Sequence, residues 1–150
     1  MKISKPFACV GVAAALAGVM LWGMTLAAFA QGAEAFRTRL SPVPIDVTMQ
    51  QQVAGSGSVT ATLQGNRLAV SGTFEGMRSP ATVAHLHRAP RGIPGPPILD
   101  LTVTRAVSGS VSGSLDLDAA QLDDLRNGLV YVQIHSEGAP EGNLRGWLLP

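Results

Sequence analysis

The sequence predicts an all-β fold, an antiparallel β-sandwich or small Greek-key barrel carrying one short helix. Three observations lead there. From Ala35 onward, apolar and polar residues alternate with period two almost throughout, the signature of half-buried strands. Gly-, Pro- and Asn-containing turns punctuate the alternation at short intervals, as in sandwiches and barrels. Only residues 118–128 break the rhythm, with Leu122 and Leu125 at helical spacing.

The chain has 150 residues, enough for one ordinary domain. Residues 1–30 read as a signal peptide. Lys2 and Lys5 precede an uncharged apolar run that ends in the small-x-small triplet Ala28-Phe29-Ala30, which places cleavage before Gln31. The protein is therefore expected to be exported, to a periplasm or outside the cell. The alternative is a membrane anchor formed by residues 6–30, a stretch long enough to span a bilayer. Cys9, the single cysteine, has Pro6 three positions upstream, so no lipoprotein box is read. Cleavage removes Cys9 and both lysines, and leaves nine arginines against ten acids, a formal charge of −1. That balance points to no nucleic acid, and membrane association is expected only if the segment stays uncleaved. About 120 residues remain. A chain of that length buries roughly two thirds of its unfolded surface, so it needs neither disulfide nor structural metal to fold.

Residues 31–34 form a short polar leader, and the domain proper runs over 35–150. "AFRTRL" alternates as a first strand. "GSVTATLQGNRLAVSGTFEG" gives two strands around the turn Gly65-Asn66. "TVAHLHR" is a fourth. "RAPRGIPGPP" is too rich in Pro and Gly for regular structure and is a loop. "ILDLTVTR" and "VSGSVSGSLDL" are further strands, the second expected to be thin and exposed or at an edge. Asp118 with Gln121 resembles a capping box, and Gly128 suits a helix stop. "LVYVQIHS" and "NLRGWLLP" close the chain as a hairpin around the loop "EGAPEG".

Strand parity places the chain's three histidines. Residues i and i+2 share a face, so His85 and His87 point together while Ala84 and Leu86 point to the core. On the penultimate strand Val130, Val132 and Ile134 form the core row, which leaves Tyr131, Gln133 and His135 outside. On the last strand Leu144, Gly146 and Leu148 suit the core, and Arg145 and Trp147 face outward beside His135. Two imidazoles at i and i+2 can reach one metal ion, and a third on a neighbouring strand would complete a three-imidazole cap with an open position. His85, His87 and His135 are thus the candidate metal ligands, for copper or zinc. Whether the two strands are adjacent does not follow from the sequence. Arg145 has two readings: it steers an anion toward the open position, or its stem covers Trp147. Glu137 and Glu141 either orient an imidazole or are solvated loop acids.

"AHLHRAPRGIPGPP" followed by "LDLDAAQLDDLRNGLVYVQIHSEGAPEGNLRGWL" resembles the CHRD domain, the module of chordin and of many bacterial exported proteins. The family pattern of His-Ile-His with a Gly- and Pro-rich turn matches His85, Leu86, His87, Gly92, Gly95 and Pro96. Its Tyr-Val-x-x-His-Thr segment and Pro-x-Gly-x-x-Arg-Gly match Tyr131, Val132, His135, Ser136, Pro140, Gly142, Arg145 and Gly146. Ser136 stands where the family usually has Thr, and Asn143 where it has Glu. The resemblance spans about residues 35–150 and implies an immunoglobulin-like sandwich or barrel, with no established activity.

Two function classes follow. One is an exported module that binds a transition metal through the three histidines. The other is an extracytoplasmic interaction or adhesion module without metal, offering an exposed Tyr131 and Trp147 to a protein partner or small ligand. An enzyme finds no support in a nucleophile constellation, because Ser136, next to His135, points to the opposite face. Asp123 and Asp124 read as the solvated face of the helix.

Overall fold

Alternating small and apolar side chains send every second residue inward, and eight strands built this way close on themselves. The computed structural model describes residues 32–43 and 47–150. The expected signal segment lies outside the described residues. The strands are β1 (Glu34–Pro42), β2 (Ser56–Gln64), β3 (Arg67–Glu75), β4 (Ala81–Arg88), β5 (Pro97–Val103), β6 (Gly109–Asp116), β7 (Val130–Ser136) and β8 (Ala139–Trp147). A 3-10 turn, Met49–Gln51, precedes β2, and the helix α1 (Ala119–Arg126) lies between β6 and β7. Among the described residues no helix is long and apolar enough to cross a membrane.

Every pairing is antiparallel, and the order around the closed barrel is β1-β2-β3-β6-β5-β4-β7-β8. Ser41 opposite Arg145 and Pro42 opposite Leu144 join β8 back to β1. The antiparallel all-β class and the one short helix match the expectation from sequence; the sheet is a single closed barrel. Closure places β6 between β3 and β5, so of the two readings of this strand the exposed one holds and the edge one does not. Its Ser- and Gly-rich run pairs with β3 along its whole length and with β5 at Thr102–Ser112 and Val103–Val111. Its small outward side chains are exposed, and on the β5 flank the pairing is confined to Val111 and Ser112.

The core follows the predicted parity. Val59, Ala61 and Leu63 of β2, Leu68 and Val70 of β3, Ala84 and Leu86 of β4, and Val130, Val132 and Ile134 of β7 all join one buried cluster. Each buried Val, Leu or Ile contributes about 1.5–3 kcal/mol relative to exposure. Leu125 carries α1 into the same cluster, with Leu122 packed against it. The helix opens as expected: the Gln121 N–H donates to Asp118 Oδ1 at 2.8 Å, and the Asp118 N–H donates to Gln121 Oε1 at 3.0 Å. One helix expectation is corrected. Asp124 is only 8% exposed and pairs with the Arg88 guanidinium at the end of β4, so Asp123 alone of the two acids is solvated.

The last hairpin is also tighter than the sequence implied. The turn is Glu137–Gly138, and Ala139–Gly142 already belong to β8. Glu141 is therefore a strand residue, not a loop acid. The β7–β8 register slips between Ile134 and Ser136. Between those pairs β7 holds one residue and β8 holds four, so the extra residues and the bend belong to β8, and His135 keeps the same face as Gln133.

Candidate metal centre

β4 and β7 are neighbours in the barrel, so the two histidine runs stand side by side. His85 lies opposite Gln133, and His87 opposite Tyr131. His135, two residues past Gln133 on the same face, is then the diagonal neighbour of His85, within side-chain reach. The ring centroids are 5.7 Å apart for His85–His87, 5.1 Å for His85–His135 and 5.8 Å for His87–His135. One nitrogen from each ring lies within 4.8 Å of the others. The three residues singled out from sequence are thus brought together.

Their hydrogen bonds fix which nitrogens are available. His87 Nδ1–H donates to the Gly95 carbonyl at 2.8 Å, and His135 Nδ1–H donates to the Pro140 carbonyl at 2.7 Å. A carbonyl oxygen only accepts, so each Nδ1 carries the proton and each neutral ring keeps a lone pair on Nε2. His87 Nε2 is buried and has no hydrogen-bond partner among the described residues. His135 Nε2 stands 3.3 Å from His85 Nδ1 and 3.4 Å from the Gln133 amide nitrogen. His85 turns its other nitrogen, Nε2, toward Asp100 Oδ1 at 3.6 Å. Asp100 is its cross-strand partner on β5, with a side chain 95% exposed.

The outward parity of the histidines holds, but the outer face is not open. The loop between β4 and β5 folds back across it. The Gly95 N–H donates to the Tyr131 hydroxyl at 2.9 Å, and that hydroxyl donates to the Gly95 carbonyl at 3.2 Å. The Trp147 indole N–H donates to the Ala89 carbonyl at 3.0 Å. Gly95 is required here: a Cβ would stand 2.0 Å from the Arg88 carbonyl oxygen. Under this cover Tyr131 is 0% exposed and His87 5%, which corrects the expectation of an exposed tyrosine. The Tyr131 ring stacks on His87, with centroids 4.9 Å apart and planes at 15°. Burial lowers the pKa of both His87 and His135. It outweighs their carbonyl hydrogen bonds, which act in the opposite direction, and the neighbouring imidazoles and Arg145 depress both further.

Arg145 lies opposite Gln133 and donates from Nε to Gln133 Oε1 at 2.7 Å. Its guanidinium carbon sits 5.0 Å from the Tyr131 ring centroid and 5.9 Å from that of Trp147. Gln133 in turn donates to the Glu141 carbonyl at 3.0 Å. The amide fits there because residue 142 is glycine: a Cβ would meet Gln133 Nε2 at 2.6 Å. Backbone carbonyls orient His87 and His135, in place of the side chains of Glu137 and Glu141. Glu141 acts on His135 only through its charge, which favours the protonated ring. Ser136 turns to the other face, where its buried Oγ meets no polar partner among the described residues.

Asp100, and the roles of Tyr131, Gln133 and the Gly95 and Pro140 carbonyls, were not read from sequence. Parity could have put Tyr131 and Gln133 beside the rings. Nothing in the sequence gives the β4–β5 register that brings Asp100 to His85.

A search of curated proteins and a search of solved structures each find no match. The family model described as the CHRD domain matches residues 36–148, a span that takes in all three histidines and runs from within β1 to just past the end of β8. The chain belongs to the CHRD domain family.

Proposed function

We propose that this domain binds one transition-metal ion, copper or zinc, through His85 Nδ1, His87 Nε2 and His135 Nε2. The observation that carries the reading is the buried, unpartnered Nε2 of His87 within a cluster of three ring nitrogens. An orphaned buried polar atom costs about 1–3 kcal/mol, and an ion at the centre of the cluster would give it a partner. Spacing supports the fit. Nitrogens about 2.0–2.1 Å from a tetrahedral ion stand about 3.3 Å apart. The His85–His135 pair is already at 3.3 Å. The widest pair, at up to 4.8 Å, would have to close by about 1.5 Å. The N–H groups of His87 and His135 are tied to carbonyls, and His85 faces a carboxylate, the arrangement that orients metal-bound imidazoles. Three protein ligands leave a fourth position for water or a small ligand.

The layout of residues 1–30 supports export after cleavage before Gln31, with anchoring by residues 6–30 as the alternative. N-terminal sequencing of the exported fraction separates the two. The metal reading is tested by calorimetric titration of untagged protein with zinc or copper. One ion per chain is expected in the wild type, and binding at least tenfold weaker in His87→Ala. Equal binding in the two proteins would give the lead to an interaction module without metal.

A further inference from the structure

Where β8 meets β1, next to the histidines, lies a cavity of about 500 Å³. Pro42, Val43, Pro94 and Trp147 supply its apolar walls, and Arg145 and Glu141 its charges. None of the three histidines lines it. The volume falls within the range of small-molecule pockets.

Arg145 gives the cavity its chemistry. Its Nε is committed to Gln133, and the ring faces of Tyr131 and Trp147 flank the guanidinium. Its terminal nitrogens have no hydrogen-bond or ion-pair partner among the described residues. A guanidinium offers five N–H donors in a planar fork that suits a carboxylate. Here the fork is held in place before any ligand arrives, so little side-chain freedom remains to be lost on binding. Glu141 has no ion-pair partner among the described residues either. Among the described residues the lining charges are one guanidinium and one carboxylate, a balance that disfavours a multiply charged anion such as phosphate and accommodates a monoanion. The Trp147 and proline walls suit a flat apolar body behind that single charge.

We infer that this cavity is a second binding site, one that takes a small aromatic monocarboxylate with its carboxylate on Arg145 and its ring against Trp147. None of the three histidines lines the cavity, so the ligand is expected to bind without metal.

The probe is 2-naphthoate, titrated calorimetrically into untagged protein with EDTA present throughout, so that no metal contributes. Binding is expected in the wild type. The neutral isostere 2-naphthamide is expected to bind at least tenfold more weakly, as is 2-naphthoate to Arg145→Gln. Glu141→Gln, which removes the opposing charge, should tighten naphthoate binding severalfold. Should Arg145→Gln fail to fold, the naphthoate–naphthamide contrast on the wild type decides. Absence of naphthoate binding at millimolar concentration, or equal affinity for the acid and the amide, would overturn the assignment. Because the metal is chelated, either result leaves the metal-centre reading untouched.

Discussion

His85 Nδ1 stands 3.3 Å from His135 Nε2, although 50 positions of chain separate the two residues. The barrel makes this contact by setting β4 beside β7 in a register that puts His85 opposite Gln133. Two neutral imidazole nitrogens at that distance share one hydrogen or one ion. The buried Nε2 of His87 lies on the same face with no partner among the described residues, and it is this atom that motivates the proposed metal site.

Replacing His87 by phenylalanine separates metal binding from folding. The ring volume and the stacking on Tyr131 are kept, the orphaned nitrogen is removed, and the bond to the Gly95 carbonyl is lost. These changes offset one another, so metal-free stability in urea unfolding should stay within about 1 kcal/mol of wild type. Metal affinity should fall at least tenfold in the same variant.

Acid should destabilise the metal-free protein. Burial lowers the pKa of His87 and His135 in the folded state, so the unfolded chain binds more protons in the interval below its own value of about 6.5. The stabilising contribution is complete above about pH 6.5 and is lost as pH falls from there through the lowered folded values. Urea midpoints at pH 7.5 and pH 5 should differ in that direction, and by less in His135→Gln. Metal affinity should decline over the same acid range, because protons compete for the same nitrogens.

The Tyr131 hydroxyl holds the covering loop by bonding both the N–H and the carbonyl of Gly95. Tyr131→Phe leaves the Gly95 N–H without this acceptor and should cost about 1 kcal/mol. Amide hydrogen exchange across residues 89–96 should rise. Exchange unchanged from wild type would mean that the remaining bonds, from Trp147 to Ala89 and from His87 to Gly95, secure the loop without the hydroxyl.

Leu125 is fully buried and links α1 to the barrel core. Leu125→Ala should destabilise the domain by about 2–5 kcal/mol, measured by denaturant unfolding. Asp123→Ala, on the exposed side of the same helix, should change stability by less than about 0.5 kcal/mol.

Much of this was legible in the sequence because strand parity is local. Ala84 and Leu86 against His85 and His87, or Ile134 against His135, can be sorted by counting in twos. The capping box of Asp118 and Gln121 was equally local. What depends on strand order was not legible. β4 lies between β5 and β7 in the barrel, so the approach of His135 to His85, and of Asp100 to His85, comes from pairings that no single segment encodes. β6 was readable as exposed from its small residues, but its place between β3 and β5 was not, because barrel closure supplies its second neighbour through only two pairs. Tyr131 looked exposed because parity separates inside from outside but does not reveal a Pro- and Gly-rich loop folding back over the outer face.

The most direct test is diffraction from zinc-soaked crystals with data collected at the zinc absorption edge. A single anomalous peak is expected about 2.0–2.1 Å from each of His85 Nδ1, His87 Nε2 and His135 Nε2, with one further light atom completing the shell. Zinc-saturated crystals with no peak at the three rings, or with an ion held by fewer than three of them, would contradict the account.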